Sequence, residues 1–132
     1  MKTDQQRETI LVVDDDLEIR ALVKVYLEQA GFAVATAADG EDGLNVFRAY
    51  RSRIALVLTD VRMPNMNGFD LADRVLELDS GLPVLFMSGE AWNASRGLGC
   101  LAKPFTPVEL VGRVHQGVDQ WRKRLRNKAS AA

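Results

Sequence analysis

Short apolar runs alternate along the chain with longer segments in which apolar residues recur every three or four positions. Four clear runs lie at 10–13, 33–35, 55–58 and 83–87, and a weak fifth lies at 100–102. Continuous apolarity, without alternating polar residues, is typical of strands buried on both faces of a parallel sheet. The pattern therefore predicts five parallel strands separated by helices.

The segments between the strands have the period of amphipathic helices. The residues predicted to face inward are Ile19, Leu22, Val23, Tyr26, Leu27 and Ala30 in the first helix, Leu44 and Phe47 in the second (41–50), Gly68, Leu71, Ala72, Val75 and Leu76 in the third, and Val111, Val114, Val118, Trp121 and Leu125 in the last. Right-handed crossovers would place these helices on both faces of one open sheet, which is a doubly wound α/β fold.

Local signals predict where several helices begin and end. Thr106 and Glu109 have the spacing of a capping box, with Pro107 at the first helical position. Asp16 is the predicted N-cap of the first helix, and Gly31 is placed to end it in a left-handed conformation. These signals fix three of the predicted helix ends.

The segment between the fourth and fifth strands is a poor helix. Gly89, Gly97 and Gly99 interrupt it, and a helix needs several consecutive good formers. We therefore expect the fourth helix to be short or irregular. Trp92 lies in this segment, where it serves either partner contact or local packing.

Length and composition limit the classes of protein. The chain has 132 residues and a formal net charge of −1, which fits one domain with a core at about 8–126 and tails at 1–7 and 127–132. This charge does not favour direct contact with nucleic acid or membranes, and no apolar run suggests a membrane span or signal peptide, so we expect a cytoplasmic protein. Cys100 and His115 are the only residues of their types, which excludes an internal disulfide and a multi-cysteine zinc site.

Polar residues occur where the predicted strands end. Asp14, Asp15 and Asp16 follow the first strand, Asp60 ends the third, Ser88 ends the fourth and Lys103 follows the fifth. Ligands of doubly wound sheets bind beyond the carboxyl ends of the strands, so these groups should meet at one edge.

Clustered carboxylates repel one another, and a divalent cation such as Mg²⁺ relieves the repulsion. Asp15, Asp60 and the backbone carbonyl of Arg62 are the expected direct metal ligands, and Asp14 would hold a metal-bound water. Mn²⁺ can take the place of Mg²⁺. With Lys103 to meet an anion and Ser88 to donate a hydrogen bond, the set predicts phosphoryl transfer to Asp60 as the nucleophile.

Four motifs in this order, ILVVDDD, LVLTDVRMPNMNG, PVLFMSGE and LAKPF, resemble the receiver domain of two-component response regulators. The resemblance implies a flavodoxin-like sheet with strand order 2-1-3-4-5. It also implies that Asp60 accepts a phosphoryl group from a histidine kinase or a histidine phosphotransfer domain. Asp14 and Asp15 correspond to the acid pair of the family, Ser88 to the switch hydroxyl and Lys103 to the phosphate-contacting lysine. Such a domain is a switch and not an enzyme in its own right.

The chain departs from the family pattern in two places. Cys100 stands where an aromatic residue is common, and the segment between Ser88 and Lys103 is shorter by roughly two helical turns. The short segment resembles receivers of hybrid kinases, whereas a start at Met1 and an end soon after the last helix resemble a stand-alone regulator. Dimerisation is left open.

Two other functions compete with this one. A small phosphatase of the haloacid dehalogenase type would use Asp14 and Asp16 as an Asp-x-Asp motif, although Glu18 stands where that motif has threonine or valine. A receiver fold that serves only as a constitutive docking module is the third possibility.

Some residues also have simple structural explanations. Asp14 and Asp15 alone would suit the start of a helix. Cys100 is expected to be a small buried residue of the last strand, and His115 a surface or edge residue. The cations of the C-terminal segment, Arg122, Lys123, Arg124, Arg126 and Lys128, are expected to be a solvated helix end.

Overall fold

The computed structural model describes residues 7–90 and 97–131, with the side chain of the last residue excluded. Strands and helices alternate along the chain. The strands are β1 (Thr9–Val13), β2 (Ala33–Ala37), β3 (Ile54–Asp60), β4 (Val84–Ser88) and β5 (Cys100–Ala102). The helices found in the described residues are α1 (Leu17–Gln29), α2 (Gly40–Tyr50), α3 (Gly68–Leu78) and α4 (Pro107–Ala131).

The five strands form one parallel sheet in the order β2-β1-β3-β4-β5. This confirms the doubly wound fold and the strand order that the family resemblance implied. β3 lies at the centre, and all of its residues except Asp60 are buried. Asp60, the last residue of this buried central strand, therefore lies at the edge of the sheet.

Successive strand residues face opposite sides of the sheet, so the core has two halves. Ile10 and Leu56 belong to the half that packs against α1 and α4, whereas Leu11 and Val57 belong to the half that packs against α2 and α3. Helices therefore cover both faces, which is why the central strands are apolar without alternation.

The predicted inward-facing stripes are largely confirmed. Val23 and Leu27 of α1 and Val114 and Val118 of α4 are buried. Leu22 and Leu125 were predicted wrongly, because their exposed fractions are 45% and 42%. The sheet covers a face of α1 narrower than the six-residue stripe, and α4 has no buried residue at positions 119–130.

The predicted helix ends are confirmed. The Asp16 carboxylate caps α1 by accepting hydrogen bonds from two backbone amides of the first turn. At α4, the amide of Glu109 donates to Thr106 Oγ1 at 3.1 Å, and the Thr106 hydroxyl donates back to the Glu109 carboxylate at 3.1 Å. Gly31 follows α1 with φ of 99°, a conformation that favours glycine.

The expected short fourth helix falls mainly on residues 91–96. These residues, Trp92 among them, lie outside the described residues. On either side, residues 89–90 and 97–99 are not helical. Gly97 has φ of 58°, and a Cβ there would lie 2.4 Å from the Val84 carbonyl oxygen, so glycine is required for this turn to approach β4.

The last helix is longer than expected. α4 has 25 residues and continues through 127–131, which were expected to form part of a tail. Among the described helices, α4 included, none combines the length and apolarity that a membrane crossing requires.

Candidate functional site

Four strands bring polar side chains to one edge of the sheet. Asp14 directly follows β1, Asp60 ends β3, Ser88 ends β4 and Lys103 directly follows β5. The strands are in parallel register, and the backbone amide of Lys103 donates to the carbonyl of Ser88 at 2.8 Å, so the strand ends are tied together. The convergence expected from the sequence is present in the structure.

Three carboxylates form the acidic part of the site. Asp14, Asp15 and Asp60 each offer an oxygen, and these oxygens lie within 4.8 Å of one another. Asp14 is fully buried, Asp15 is exposed and Asp60 is largely buried. The neighbouring Asp16 carboxylate is engaged with the start of α1, as expected for a cap. The cluster has the number and type of oxygen groups that a hard divalent cation binds.

Lys103 provides the cation of the site. Its Nζ lies 2.9 Å from Asp14 Oδ2 and 3.6 Å from Asp60 Oδ2. Burial is the largest single influence on the pKa of Lys103 and lowers it, but the hydrogen bond and charge of Asp14, together with Asp60, outweigh burial and raise the pKa. Lys103 therefore stays protonated.

Burial raises the pKa of Asp60 above its usual value of 3.8. The charges of Asp14 and Asp15 also raise it, and they act against Lys103 and against a hydrogen bond from the Val61 amide to Asp60 Oδ1 at 2.9 Å. Lys103 therefore does not fully offset the burial of Asp60 and the negative charges of Asp14 and Asp15. The site therefore favours an additional cation.

Gly68 shapes the loop that follows Asp60. A Cβ at position 68 would lie 2.2 Å from the Asp60 carbonyl oxygen, and the Gly68 amide donates to the Val61 carbonyl at 2.8 Å. Asn65 has φ of 69°, which lets the loop turn back. The first residue of α3 thus packs directly against the backbone of Asp60.

Ser88 is buried, and its Oγ accepts a hydrogen bond from the Glu90 amide at 3.0 Å. The Glu90 carboxylate in turn pairs with the Arg62 guanidinium at 2.9 Å, so an exposed ion pair joins the loops after β3 and β4. The role of the Arg62 backbone carbonyl as a ligand stays a prediction.

Three contacts of the site were not predicted from the sequence. Arg20 Nη1 donates to the Asp14 carbonyl at 2.8 Å, and Glu90 contacts both Ser88 and Arg62. The position of Glu90 two residues after Ser88 was a usable signal, whereas nothing in the sequence marks Arg20.

Expectations for residues outside the site had mixed outcomes. His115 is exposed, as expected, with its ring 5.0 Å from that of Phe32. Cys100 lies on β5 as expected but is only partly buried, and burial raises the pKa of its thiol. The expectation of a solvated C-terminal end is wrong for two of its cations. Arg122 forms salt bridges with Glu8 and Asp119, and Arg124 forms one with Asp79.

The family model of the response regulator receiver domain matches residues 10–115. The chain belongs to this family. The matched region includes the acidic cluster, Ser88 and Lys103, so the family resemblance of the motifs is confirmed. The comparisons give no support to the alternative of a haloacid dehalogenase type phosphatase.

The receiver is similar to parts of longer proteins. It is 38% identical over 118 residues to the DNA-binding response regulator MtrA of Mycobacterium tuberculosis, covering 84% of this chain and 50% of MtrA. It is 42% identical over 91 residues to the autoinducer 1 sensor kinase/phosphatase LuxN of Vibrio harveyi, covering 69% of this chain and 10% of LuxN. The chain thus spans about half the length of MtrA and a tenth of LuxN.

Solved receiver structures share the fold. A response regulator receiver domain protein from Clostridium thermocellum superimposes with a TM-score of 0.81 at 29% identity, covering 89% of this chain and 98% of the other. The chain is therefore a receiver domain of the kind found in two-component response regulators.

Proposed function

We propose that this receiver accepts a phosphoryl group on Asp60 from a histidine kinase or a histidine phosphotransfer domain, and changes conformation in response. The proposal rests above all on one observation: Asp60 Oδ2 lies 3.6 Å from the Lys103 ammonium while Asp14 and Asp15 place carboxylates beside it. A nucleophile, a fixed cation and an acidic metal-binding pair are the parts that phosphoryl transfer requires.

The residues fit Mg²⁺, with Mn²⁺ as a substitute. Three carboxylates against one ammonium leave two negative charges, which a divalent cation balances. Asp14, Asp15 and Asp60 would hold the ion together with the Arg62 carbonyl. When bound, the ion neutralises the carboxylates and the oxygens of the incoming phosphoryl group.

The carboxylate of Asp60 has two different oxygens. Oδ1 accepts the hydrogen bond of the Val61 amide, whereas Oδ2 faces Lys103. We assign the attack on phosphorus to Oδ2. The bond from phosphorus to the imidazole nitrogen of the donor then breaks, the imidazole keeps the electron pair, and an aspartyl phosphate is formed. Lys103 contacts the transferred oxygens without changing its protonation.

The product carries additional negative charge and acceptor oxygens close to Ser88 and Lys103. A hydrogen bond from the Ser88 hydroxyl and the pull on Lys103 would draw in the loops that follow β4 and β5. The chain assists its own phosphorylation and dephosphorylation but has no other substrate in this proposal. We place this signalling in the cytoplasm, without direct contact to nucleic acid.

A protein donor must cover the edge of the sheet to reach Asp60. Two exposed apolar side chains lie at the starts of helices that follow strands ending at this edge: Leu17 of α1, after β1, is 67% exposed, and Val108 of α4, after β5, is 83% exposed. Exposed apolar side chains beside a reactive group favour contact with another protein. We therefore include Leu17 and Val108 in the docking surface for the phosphodonor.

Treatment with acetyl phosphate and Mg²⁺ tests the chemistry. We expect mass spectrometry to detect one added phosphoryl group on Asp60, and Asp60→Asn and EDTA each to abolish it. Asp16→Asn is the matched control, because it removes a neighbouring carboxylate but keeps a good helix cap. Labelling of Asp14 that survives in Asp60→Asn would contradict the proposal.

Protein donors test the docking surface. A screen of phosphorylated histidine kinases and phosphotransfer domains should identify donors that label Asp60. With such a donor, Leu17→Ser and Val108→Ser should slow transfer about tenfold while labelling by acetyl phosphate stays unchanged. If the substitutions slowed phosphorylation by the protein donor and by acetyl phosphate equally, Leu17 and Val108 would act on the phosphoacceptor site and not on docking.

A further inference from the structure

A cavity lies at the opposite end of the sheet from Asp60. Its volume is about 550 Å³, and it lies between the ends of α2 and α3 and the last turns of α4. Ser52, on its wall, precedes β3, whereas Asp60 ends that strand. The cavity shares no residue with the phosphoacceptor site. The lining residues that matter here are Arg48, Arg51, Ser52, Trp121, Arg124 and Lys128.

Two of its four cations are held by contacts with the end of α3. Arg51 donates to the Leu78 carbonyl, and Arg124 Nη1 and Nη2 donate to the Asp79 carboxylate at 2.9 and 3.3 Å. Gly81 makes room for Arg124, because a Cβ there would lie 2.3 Å from Nη1. These two side chains therefore form a fixed cationic wall.

The other two cations, Arg48 and Lys128, have no salt bridge to a carboxylate within residues 7–90 and 97–131. Cations at helix ends are favoured by the helix dipole, which accounts for each of them singly. The C-terminal ends of α2, α3 and α4 each contribute roughly half a negative charge to the cavity, which is about one and a half negative charges in total. The four cations less Asp79 supply three positive charges, so the cavity stays positive.

Trp121 adds an aromatic surface to this positive cavity. Its indole is partly buried against both halves of the core, so it is fixed, and its remaining surface lines the cavity. Bases stack on such side chains, and phosphates bind arginine and lysine. A ligand that carries both a base and phosphates would match the aromatic and the cationic side chains of this cavity.

We propose that this cavity binds a nucleotide, with its phosphates at Arg48, Arg51 and Lys128 and its base against Trp121. The volume of the cavity is within the range of small-ligand sites. Because the cavity lies far from Asp60, a nucleotide there would act on the receiver as a second input.

Calorimetric titration of the full chain with ATP, and separately with inorganic tripolyphosphate, tests the proposal. EDTA is present in both titrations, so that no metal at the acidic cluster contributes. We expect ATP to bind more tightly than tripolyphosphate, and Arg48→Ala and Lys128→Ala each to weaken ATP binding about fivefold. Arg126→Ala is the matched control, since it removes one charge from the same helix outside the cavity.

The outcomes separate the parts of the proposal. Absence of ATP binding, or equal weakening by Arg126→Ala, would overturn the site. Equal affinity for ATP and tripolyphosphate would overturn the nucleotide assignment, and so would tighter binding of a single-stranded oligonucleotide. Trp121→Phe keeps an aromatic ring and should retain the preference for ATP, whereas Trp121→Leu, if folded by circular dichroism, should lose it.

Discussion

At the scale of single residues, the site holds charges that the fold by itself does not favour. The pKa of Asp60 is raised mainly by burial, so ionising this carboxylate costs stability in the folded chain. The cost is absent below the unfolded value of 3.8 and is complete above the folded pKa. The reactive carboxylate is thus retained at the expense of stability.

Asp60→Asn should therefore be more stable than the wild type at neutral pH without metal, because the variant has no carboxylate to ionise. The gain should shrink as the pH falls toward 3.8. Urea unfolding at several pH values in EDTA measures it. Asp39→Asn, at a helix cap outside the acidic cluster, is the control and should show no such trend. A less stable Asp60→Asn at neutral pH would contradict this account.

Lys103 stabilises the folded chain, whereas Asp60 destabilises it, because Lys103 is the cation that balances buried Asp14. Lys103→Met should lower the free energy of unfolding by about 2–4 kcal/mol in EDTA, since it leaves a fully buried carboxylate without its ion pair. The exposed Lys24→Met should change it by less than about 0.5 kcal/mol. Urea denaturation compares the two, and similar small losses would show that the pair contributes little.

At the scale of elements, the close approach of α3 to β3 fixes the position of Asp60. Gly68→Ala should destabilise the fold by about 2 kcal/mol, because its Cβ would be forced against the Asp60 carbonyl. It should also slow labelling by acetyl phosphate.

Gly112→Ala is the matched substitution in α4. Apart from the nearby backbone of α4 itself, no atom lies within 4 Å of the added Cβ, and alanine favours helix, so we expect stabilisation by about 0.5–1 kcal/mol. Thermal unfolding measures both variants. Destabilisation of equal size in both would remove the packing explanation for Gly68.

The elements also show what a sequence pattern can predict. Strands and caps were predictable, because apolar runs and Asp16 or Thr106 act over a few neighbouring residues. The exposure of Leu22 could not be predicted, since periodicity identifies an apolar face of a helix but not how much of that face the sheet covers. The partner of Arg124 was not predictable either, because Asp79 is distant in sequence and meets it only in the fold.

At the scale of the whole molecule, parallel topology explains why the site could be predicted. All strands end at one edge, so residues at strand ends converge without knowledge of any side-chain contact. Asp14, Asp60, Ser88 and Lys103 were found in this way. The basic cavity at the other end was missed, because Arg48 and Lys128 belong to helices on opposite faces of the sheet and come together only in the complete fold.

Metal binding should stabilise the whole fold, because an ion that binds only the folded chain shifts the unfolding equilibrium. At a Mg²⁺ concentration one hundred times the dissociation constant, the free energy of unfolding should rise by about 2.7 kcal/mol. Asp15→Asn should lose most of this gain, since it removes one of the three clustered carboxylates.

Asp16→Asn should keep the gain, because the Asp16 carboxylate serves the start of α1 and not the cluster. Urea unfolding with and without Mg²⁺ compares the three proteins. If Asp16→Asn reduced the stabilisation by Mg²⁺ as much as Asp15→Asn, the effect would come from the overall negative charge at this edge of the sheet and not from a specific metal site. No gain in the wild type would remove the metal from the proposed chemistry, and with it the balance of charge around Asp60.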